Sequence, residues 1–448
     1  LDSLLNLVSS EPPTDSIVGQ TAYWHLDDIA YYSIGDIHMQ LQSPALLNPP
    51  DTLYSVGVVL EPITLDTLGA FSWAGEVVCA YDPNDKQVTP VGTGVVAAAY
   101  TYNAPGFGTF ELLLGFLGVT DTTGAASKIT NVYATDGLSM TAGLGFMLGS
   151  TLPVRIENNG ITGNHSIVRL SDTLAVYETY ARLTPGLDVA QAAQLFSASG
   201  SGNHRQEDAL DALRNLIQGK TSVDKTAVDN HDAFGANLAE LQNSSAFASL
   251  AGKVTLNMNV ANIATQAKAR VGFEEVAALE TLSPFVLNAA GSEGATALQA
   301  LWGSGPWLDK YQGWQADKTA LQSQGTPSAY TDNWIADRSS LLQGLIIRNT
   351  YDLDSTIALK GTASANYTYT DLASAQTVLF RGTANTAYGQ QAQQVTFGND
   401  LDNSLNGSDA ISYGNGDRLY GGKGNDSIDA KAGDDYLEGN SGDDTLIG

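Results

Sequence analysis

Between residues 171 and 350 apolar side chains return every three or four positions, as in Leu174, Tyr177 and Ala181, and again in Leu210, Leu213 and Ile217. That spacing places them on one face of a helix. Ser171 or Asp172 reads as the cap of the first helix and Pro185 as its end, while Gly219 is the stop of the second. The stretches 233–250, 273–282 and 334–348 repeat the amphipathic pattern, broken by Gly, Ser and Pro near 200, 291, 304 and 325. Trp302, Trp307, Trp314 and Trp334 fall within this region. They read as ordinary core, with an acyl-binding groove as the alternative. Elsewhere the period changes. Val95 to Tyr102 and Ile129 to Ala134 are continuous apolar or β-prone runs, the pattern of buried strands, and 351–397 alternates as in Ala365-Asn366-Tyr367-Thr368-Tyr369-Thr370.

At the C-terminus the period is nine. Asp417, Asp426, Asp435 and Asp444 keep it, and so do Leu419, Ile428, Leu437 and Leu446. Between them stand Gly421-Gly422-Lys423-Gly424-Asn425-Asp426 and its two successors, which open at Ala430 and Gly439. A flexible linker has no such register. The segment is similar to the nonapeptide repeat of RTX proteins. The resemblance implies a parallel β-roll in which glycines such as Gly422, Gly424, Gly433 and Gly442 turn the backbone around a cation. Asp417, Asp426, Asp435 and Asp444 supply carboxylate oxygen, and the aliphatics point inward. Calcium is the expected metal, in a structural role. An earlier turn, Gly398 to Gly407, is out of register.

Charge sharpens this picture. The chain has 448 residues, with 21 Lys+Arg against 48 Asp+Glu, a formal charge of −27. A nucleic-acid partner is therefore excluded from the expectations. Residues 401–448 hold Asp402, Asp409, Asp417, Asp426, Asp429, Asp434, Asp435, Glu438, Asp443 and Asp444 against Arg418, Lys423 and Lys431. Without a cation these acids repel one another, so binding and folding are expected to be coupled. Cys79 is the lone cysteine and has no intramolecular disulfide partner. No apolar run approaches the roughly 18 residues of a membrane span. The chain starts without Met and the array stops at Gly448 in mid-repeat, so the sequence reads as a fragment. In RTX proteins such repeats accompany export of an unfolded chain through a type I channel of a Gram-negative cell. The localisation implied is extracellular.

A second resemblance lies upstream. Thr101-Tyr102-Asn103-Ala104-Pro105-Gly106-Phe107-Gly108, Asn164-His165-Ser166-Ile167 and Ser171-Asp172-Thr173-Leu174-Ala175-Val176-Tyr177 look like the lipase-type α/β-hydrolase domains of large RTX proteins. In that family the nucleophile sits in a Gly-His-Ser-Leu-Gly-Gly elbow, which this sequence lacks. In its place stands Ala70-Phe71-Ser72-Trp73-Ala74, of the small-x-Ser-x-small form that a tight strand-to-helix turn requires. Ser72 is the candidate nucleophile, and His165 the base that takes its proton. Asp136, in competition with Asp121, orients the imidazole, and the Trp73 N–H contributes to an oxyanion hole. There is no His-Glu-x-x-His motif and no metal-ligand spacing among His25, His38, His204 and His231, which argues against a zinc protease.

The expected fold is an α/β hydrolase-like core with a large helical subdomain, followed by a C-terminal parallel β-roll of calcium-binding nonapeptide repeats. Its segments are 1–170 hydrolase-like, 171–350 helical, 351–397 a β-rich connector and 398–448 the roll. Two functions follow. One is a secreted, calcium-dependent serine ester hydrolase of the lipase, esterase or phospholipase kind, acting on a lipid or other ester. The other is a non-enzymatic extracellular adhesin or surface-layer component that contacts a cell or membrane surface and keeps a degenerate hydrolase scaffold. Fold does not choose between them.

Overall fold

The computed structural model describes residues 22–25, 37–42, 53–60, 71–75, 77–82, 87–90, 96–102, 129–134, 150–157, 167–220, 231–258, 260–353, 356–358, 367–381, 393–409 and 416–448. The chain divides into two compact units, Leu1–Thr173 and Leu174–Gly448.

The first unit carries strands β1 (Ala22–His25), β2 (Ile37–Gln42), β3 (Leu53–Leu60), β4 (Phe71–Gly75), β5 (Val77–Asp82), β6 (Gln87–Pro90), β7 (Val96–Tyr102), β8 (Ile129–Ala134) and β9 (Ser150–Val154). They form one sheet of order β1-β2-β3-β4-β7-β8-β9, with β5 paired to β3 and β6 to β5. Every ladder from β1 to β7 is antiparallel. The last two, β7 with β8 and β8 with β9, are parallel. The sequence accounts for the switch, because short connections return a strand antiparallel whereas parallel neighbours need long crossovers, as between β7 and β8. The run expected from Ile129 to Ala134 is β8 itself; it buries Val132 and Ala134, and the buried Asn131 side chain donates to the Ser150 carbonyl at 3.2 Å.

Helix α1 (Ile167–Leu183) begins ahead of the expected cap. Ser171 and Asp172 lie inside it, and Asp172 is buried. In the second unit it is followed by α2 (Val189–Ser199), α3 (Arg205–Gln218), α4 (His231–Gln242), α5 (Ser245–Leu250), α6 (Ile263–Ala269), α7 (Glu274–Thr281), α8 (Gly291–Trp302), α9 (Leu308–Gln322) and α10 (Asp332–Thr350). A short antiparallel pair, β10 (Val254–Asn257) and β11 (Val286–Ala289), sits among them. The periodic residues are the core: Leu210, Leu213 and Ile217 are buried, and Gly219 caps α3 in the left-handed conformation, as its sequence predicts.

Beyond α10, strands β12 (Thr356–Ala358), β13 (Tyr367–Asp371), β14 (Gln376–Arg381), β15 (Gln393–Phe397), β17 (Arg418–Lys423) and β19 (Tyr436–Ser441) make a six-stranded sheet of order β12-β14-β13-β15-β17-β19. A second sheet stacks β16 (Ser404–Asn406), β18 (Ser427–Asp429) and β20 (Thr445–Ile447). Connector and roll therefore share one sheet.

Candidate metal centre

The roll advances by whole coils. Leu419 pairs with Leu437 and Ile428 with Leu446, so each coil consumes two nonapeptides and successive repeats feed alternate sheets. Leu405, Leu419 and Ile428 form its buried core, with Leu437 packed beside them. One coil earlier the match continues, since Val395 pairs with Arg418 and Ser404 with Ser427. There the spacing is 23 residues (418 − 395) instead of 18 (437 − 419), which is why residues 398–407 looked out of register. The roll begins at β15.

Backbone conformation repeats as well. The second and fourth positions of each nonapeptide have positive φ: Gly422 and Gly424, then Lys431 and Gly433, then Asn440 and Gly442. Lys431 and Asn440 accept a left-handed conformation that side chains disfavour, Asn less so than Lys. The turns place the sixth-position carboxylates over the preceding coil. Asp435 Oδ1 accepts the Asp417 N–H at 2.7 Å and Asp444 Oδ1 the Asp426 N–H at 2.9 Å. Across the longer coil, Asp417 Oδ1 accepts from Gln394 N–H and Asp426 Oδ1 from Asn403 N–H, both at 2.7 Å.

One oxygen of each carboxylate is thus fixed by backbone, and the second decides what it can bind. Asp426 Oδ2 is buried and has no hydrogen-bond partner. It projects onto Gly421, where any Cβ would overlap it; Asp444 Oδ2 stands in the same relation to Gly439. Burial raises the Asp426 carboxyl above the ordinary carboxylate range, the charges of Asp444 and Asp402 raise it further, and the Asn403 N–H offsets part of this. A desolvated, unpartnered oxygen between like charges is a hard-cation ligand. Asp417 differs, because Ser408 donates its N–H to Oδ2 and its hydroxyl to Oδ1. Sequence spacing alone made the four aspartates equivalent.

Among the described residues no three His, Cys, Asp or Glu side chains converge as a metal cluster. Calcium accepts backbone carbonyls as well as carboxylates, so one carboxylate per repeat can serve in its shell. The residues fit the ion, with Asp426 and Asp444 on one edge of the roll and Asp417 and Asp435 on the other.

The serine triad does not assemble within the described residues. Ser72 lies inside β4, its backbone opposite Val59 of β3 and Tyr100 of β7. A ladder on both sides replaces the strand-to-helix turn expected there. Asp136, His165, Asp121 and Asn103 lie outside the described residues.

Trp302, Trp307, Trp314 and Trp334 are all buried. Phe273 meets Trp302, Trp307, Tyr311 and Trp314 edge-on at 5.4 to 5.9 Å, and Tyr311 stacks on Trp314. An open cleft of about 650 Å³ is lined by Phe273, Trp302, Tyr311 and Trp314 together with polar Gln299, Gln315 and Lys318. The aromatic faces are largely spent on one another and Lys318 covers Trp314 at 4.9 Å, so the four tryptophans are core, two of which, Trp302 and Trp314, also line the cleft.

The family model of the RTX calcium-binding nonapeptide repeat matches residues 411–446 in four copies. These are RTX repeats, and their cofactor is structural calcium. No curated protein and no solved structure matches the chain.

Proposed function

We propose that this chain belongs to an extracellular RTX-type protein whose C-terminal roll folds on calcium after export from a Gram-negative cell by type I secretion machinery. The observation that carries this reading is Asp426 Oδ2, buried without a hydrogen-bond partner in the space that the missing side chain of Gly421 leaves for it. Calcium supplies the charge and the oxygen-seeking coordination that the repeats lack on their own. The test is a calcium titration of the whole chain followed by circular dichroism. A cooperative gain of β signal at millimolar or lower calcium is expected, displaced to higher calcium by Asp426→Asn. A spectrum unchanged by calcium and chelator overturns the reading.

On that frame the finer activity is a serine ester hydrolase in which a serine attacks the ester carbonyl, His165 takes the proton and Asp136 holds the imidazole; Ser72 is the candidate to test, although it lies within β4 and not in a strand-to-helix turn. Its support is the resemblance carried by residues 101–108 and 164–177, together with the parallel run β7, β8, β9, which delivers successive strand ends to one edge of the sheet. The substrate class is a lipid or other ester. Labelling by a fluorophosphonate at millimolar calcium, lost in Ser72→Ala and His165→Ala, is the expected result. No labelling of calcium-folded protein replaces this activity with that of a surface-contacting adhesin.

A further inference from the structure

The roll is fastened to the helices. Asp337, buried on α10, accepts from the Tyr420 hydroxyl at 2.6 Å and from the Arg418 guanidinium at 2.8 Å, both on β17. Glu438 of β19 accepts from the hydroxyls of Thr331, the N-cap of α10, and of Tyr436. Phe397 of β15 stacks on Tyr420 at 5.0 Å and meets Trp334 of α10 edge-on at 6.4 Å. Arg338, one residue on, is buried against the same rings, 4.9 Å from Phe397 and 5.8 Å from Trp334. Its guanidinium donates to the carbonyls of Leu279 and Glu280 at the end of α7 and pairs with buried Asp371 of β13. Since β13 pairs directly with β15, and β15 with β17, the pairing of β17 continues a sheet already clamped to α7 and α10.

We infer that calcium occupancy of the roll sets the stability of α10 and α7, with Asp337, Arg418 and Tyr420 as the latch between them. This rests on the calcium-folding reading above. The physical reason is linkage. An ion that binds only the folded roll stabilises everything whose burial requires that roll, and unfolding it strips partners from Asp337, Trp334 and Phe397. A roll merely tethered by its chain would leave the helices indifferent to calcium.

Hydrogen exchange on the full chain separates the two cases, with Leu419 and Ile428 reporting the roll and Leu341 and Leu342 reporting α10. In the native sequence calcium should raise protection at both sets. The variant Arg418→Gln/Tyr420→Phe should keep the gain at Ile428 while the gain at Leu341 and Leu342 falls at least about tenfold, since it removes two hydrogen bonds to Asp337, one of them from a half-exposed guanidinium. Should that variant lose the roll itself, Asp337→Ala cuts the same latch from the helical side, its calcium gain being compared with its own chelated state. Helix protection that ignores calcium while Ile428 responds, or latch variants that keep the full gain at Leu341 and Leu342, would overturn the coupling. An Ile428 signal indifferent to calcium would instead remove the calcium-folding reading, and the coupling with it.

Discussion

Ile428 and Leu446 occupy the same position of the nonapeptide and pair with each other on neighbouring strands of one sheet, yet Ile428 is 0% exposed and Leu446 48%. Truncating each to Ala turns that difference into a measurement. Ile428→Ala removes a fully enclosed side chain from the cluster with Leu405 and Leu419, and such cavities cost about 3 kcal/mol. Leu446→Ala removes a half-solvated one, for about 1 kcal/mol. Because only the folded roll holds calcium, the loss appears as a higher calcium midpoint, with the penalty shared among the ions bound together. At about 1.4 kcal/mol per decade, Ile428→Ala moves the midpoint about twelvefold if two ions bind cooperatively and about fivefold if three do. Leu446→Ala moves it about twofold in either case. Circular dichroism of the full chain in calcium buffers gives both midpoints. Equal shifts for the two variants, or an Ile428→Ala shift below twofold, would refute the argument that burial in the roll ranks its aliphatic ladder.

Four further outcomes follow from the same geometry. Lys431→Gly relieves a left-handed backbone that costs about 1 kcal/mol for a residue with a Cβ, and the exposed Lys431–Asp429 pair it gives up is screened by salt, so the calcium midpoint should fall; a rise would refute this. Gly421→Ala drives a methyl into Asp426 Oδ2 and the Gly439 carbonyl and should raise the calcium midpoint, whereas a native midpoint would show that this placement of the carboxylate does not matter to binding. Gly344→Ala, inside α10, meets the Phe380 ring and should destabilise by about 1–3 kcal/mol in urea, while a gain of about 1 kcal/mol would mean helix propensity alone governs the site. Asp337 is raised by burial, against the lowering effects of Tyr420 and Arg418. The folded state therefore holds its proton more tightly than the unfolded chain, and this group's contribution is full below the unfolded value near pH ~4 and lost as pH rises through the higher folded value. Melting temperature of the calcium-loaded native chain relative to Asp337→Asn should accordingly decline from pH 4 toward neutrality, and a rising difference would reverse the sign.

The residues that declared themselves in the sequence are those whose role is periodic. Leu419 and Ile428 follow a nine-residue beat that only a repeating backbone sustains, and Gly219 supplies a left-handed cap that few residues adopt easily. What escaped was contextual. A side-chain cap at Ser171 or Asp172 requires an extended residue ahead of the helix, but α1 already runs from Ile167 and buries Asp172. The segment Ala70-Phe71-Ser72-Trp73-Ala74 satisfies the small-x-Ser-x-small form and equally alternates large with small at a period of two, which is the pattern of the strand it joins. The coil from β15 to β16 was hidden by its longer spacing, since a repeat read at nine residues does not register 23. Nor does spacing reveal that Ser408 occupies the second oxygen of Asp417 while that of Asp426 is unpartnered.

A slower rhythm runs through the same array. The positions flanking the buried aliphatic are Arg418 and Tyr420 in one repeat and Tyr436 and Glu438 two repeats later, all in the sheet that meets α10 or its N-cap. In the intervening repeats they are Ser427 and Asp429, then Thr445 and Ile447, in the other sheet. Large and hydrogen-bonding side chains thus stand eighteen residues apart, superimposed on a calcium motif that recurs every nine. Because two nonapeptides make one coil, that doubled period places all four side chains on one sheet of the roll, and among the described residues the alternate sheet shows no matching latch to α10. Calcium requires only the nine-residue pattern. The side chains at 418, 420 and 438 answer to the helices, so Arg418→Ser with Tyr420→Phe, which keeps the ring stacked on Phe397, should loosen the roll's grip on α10 through Asp337 while the contacts of Glu438 and Phe397 remain.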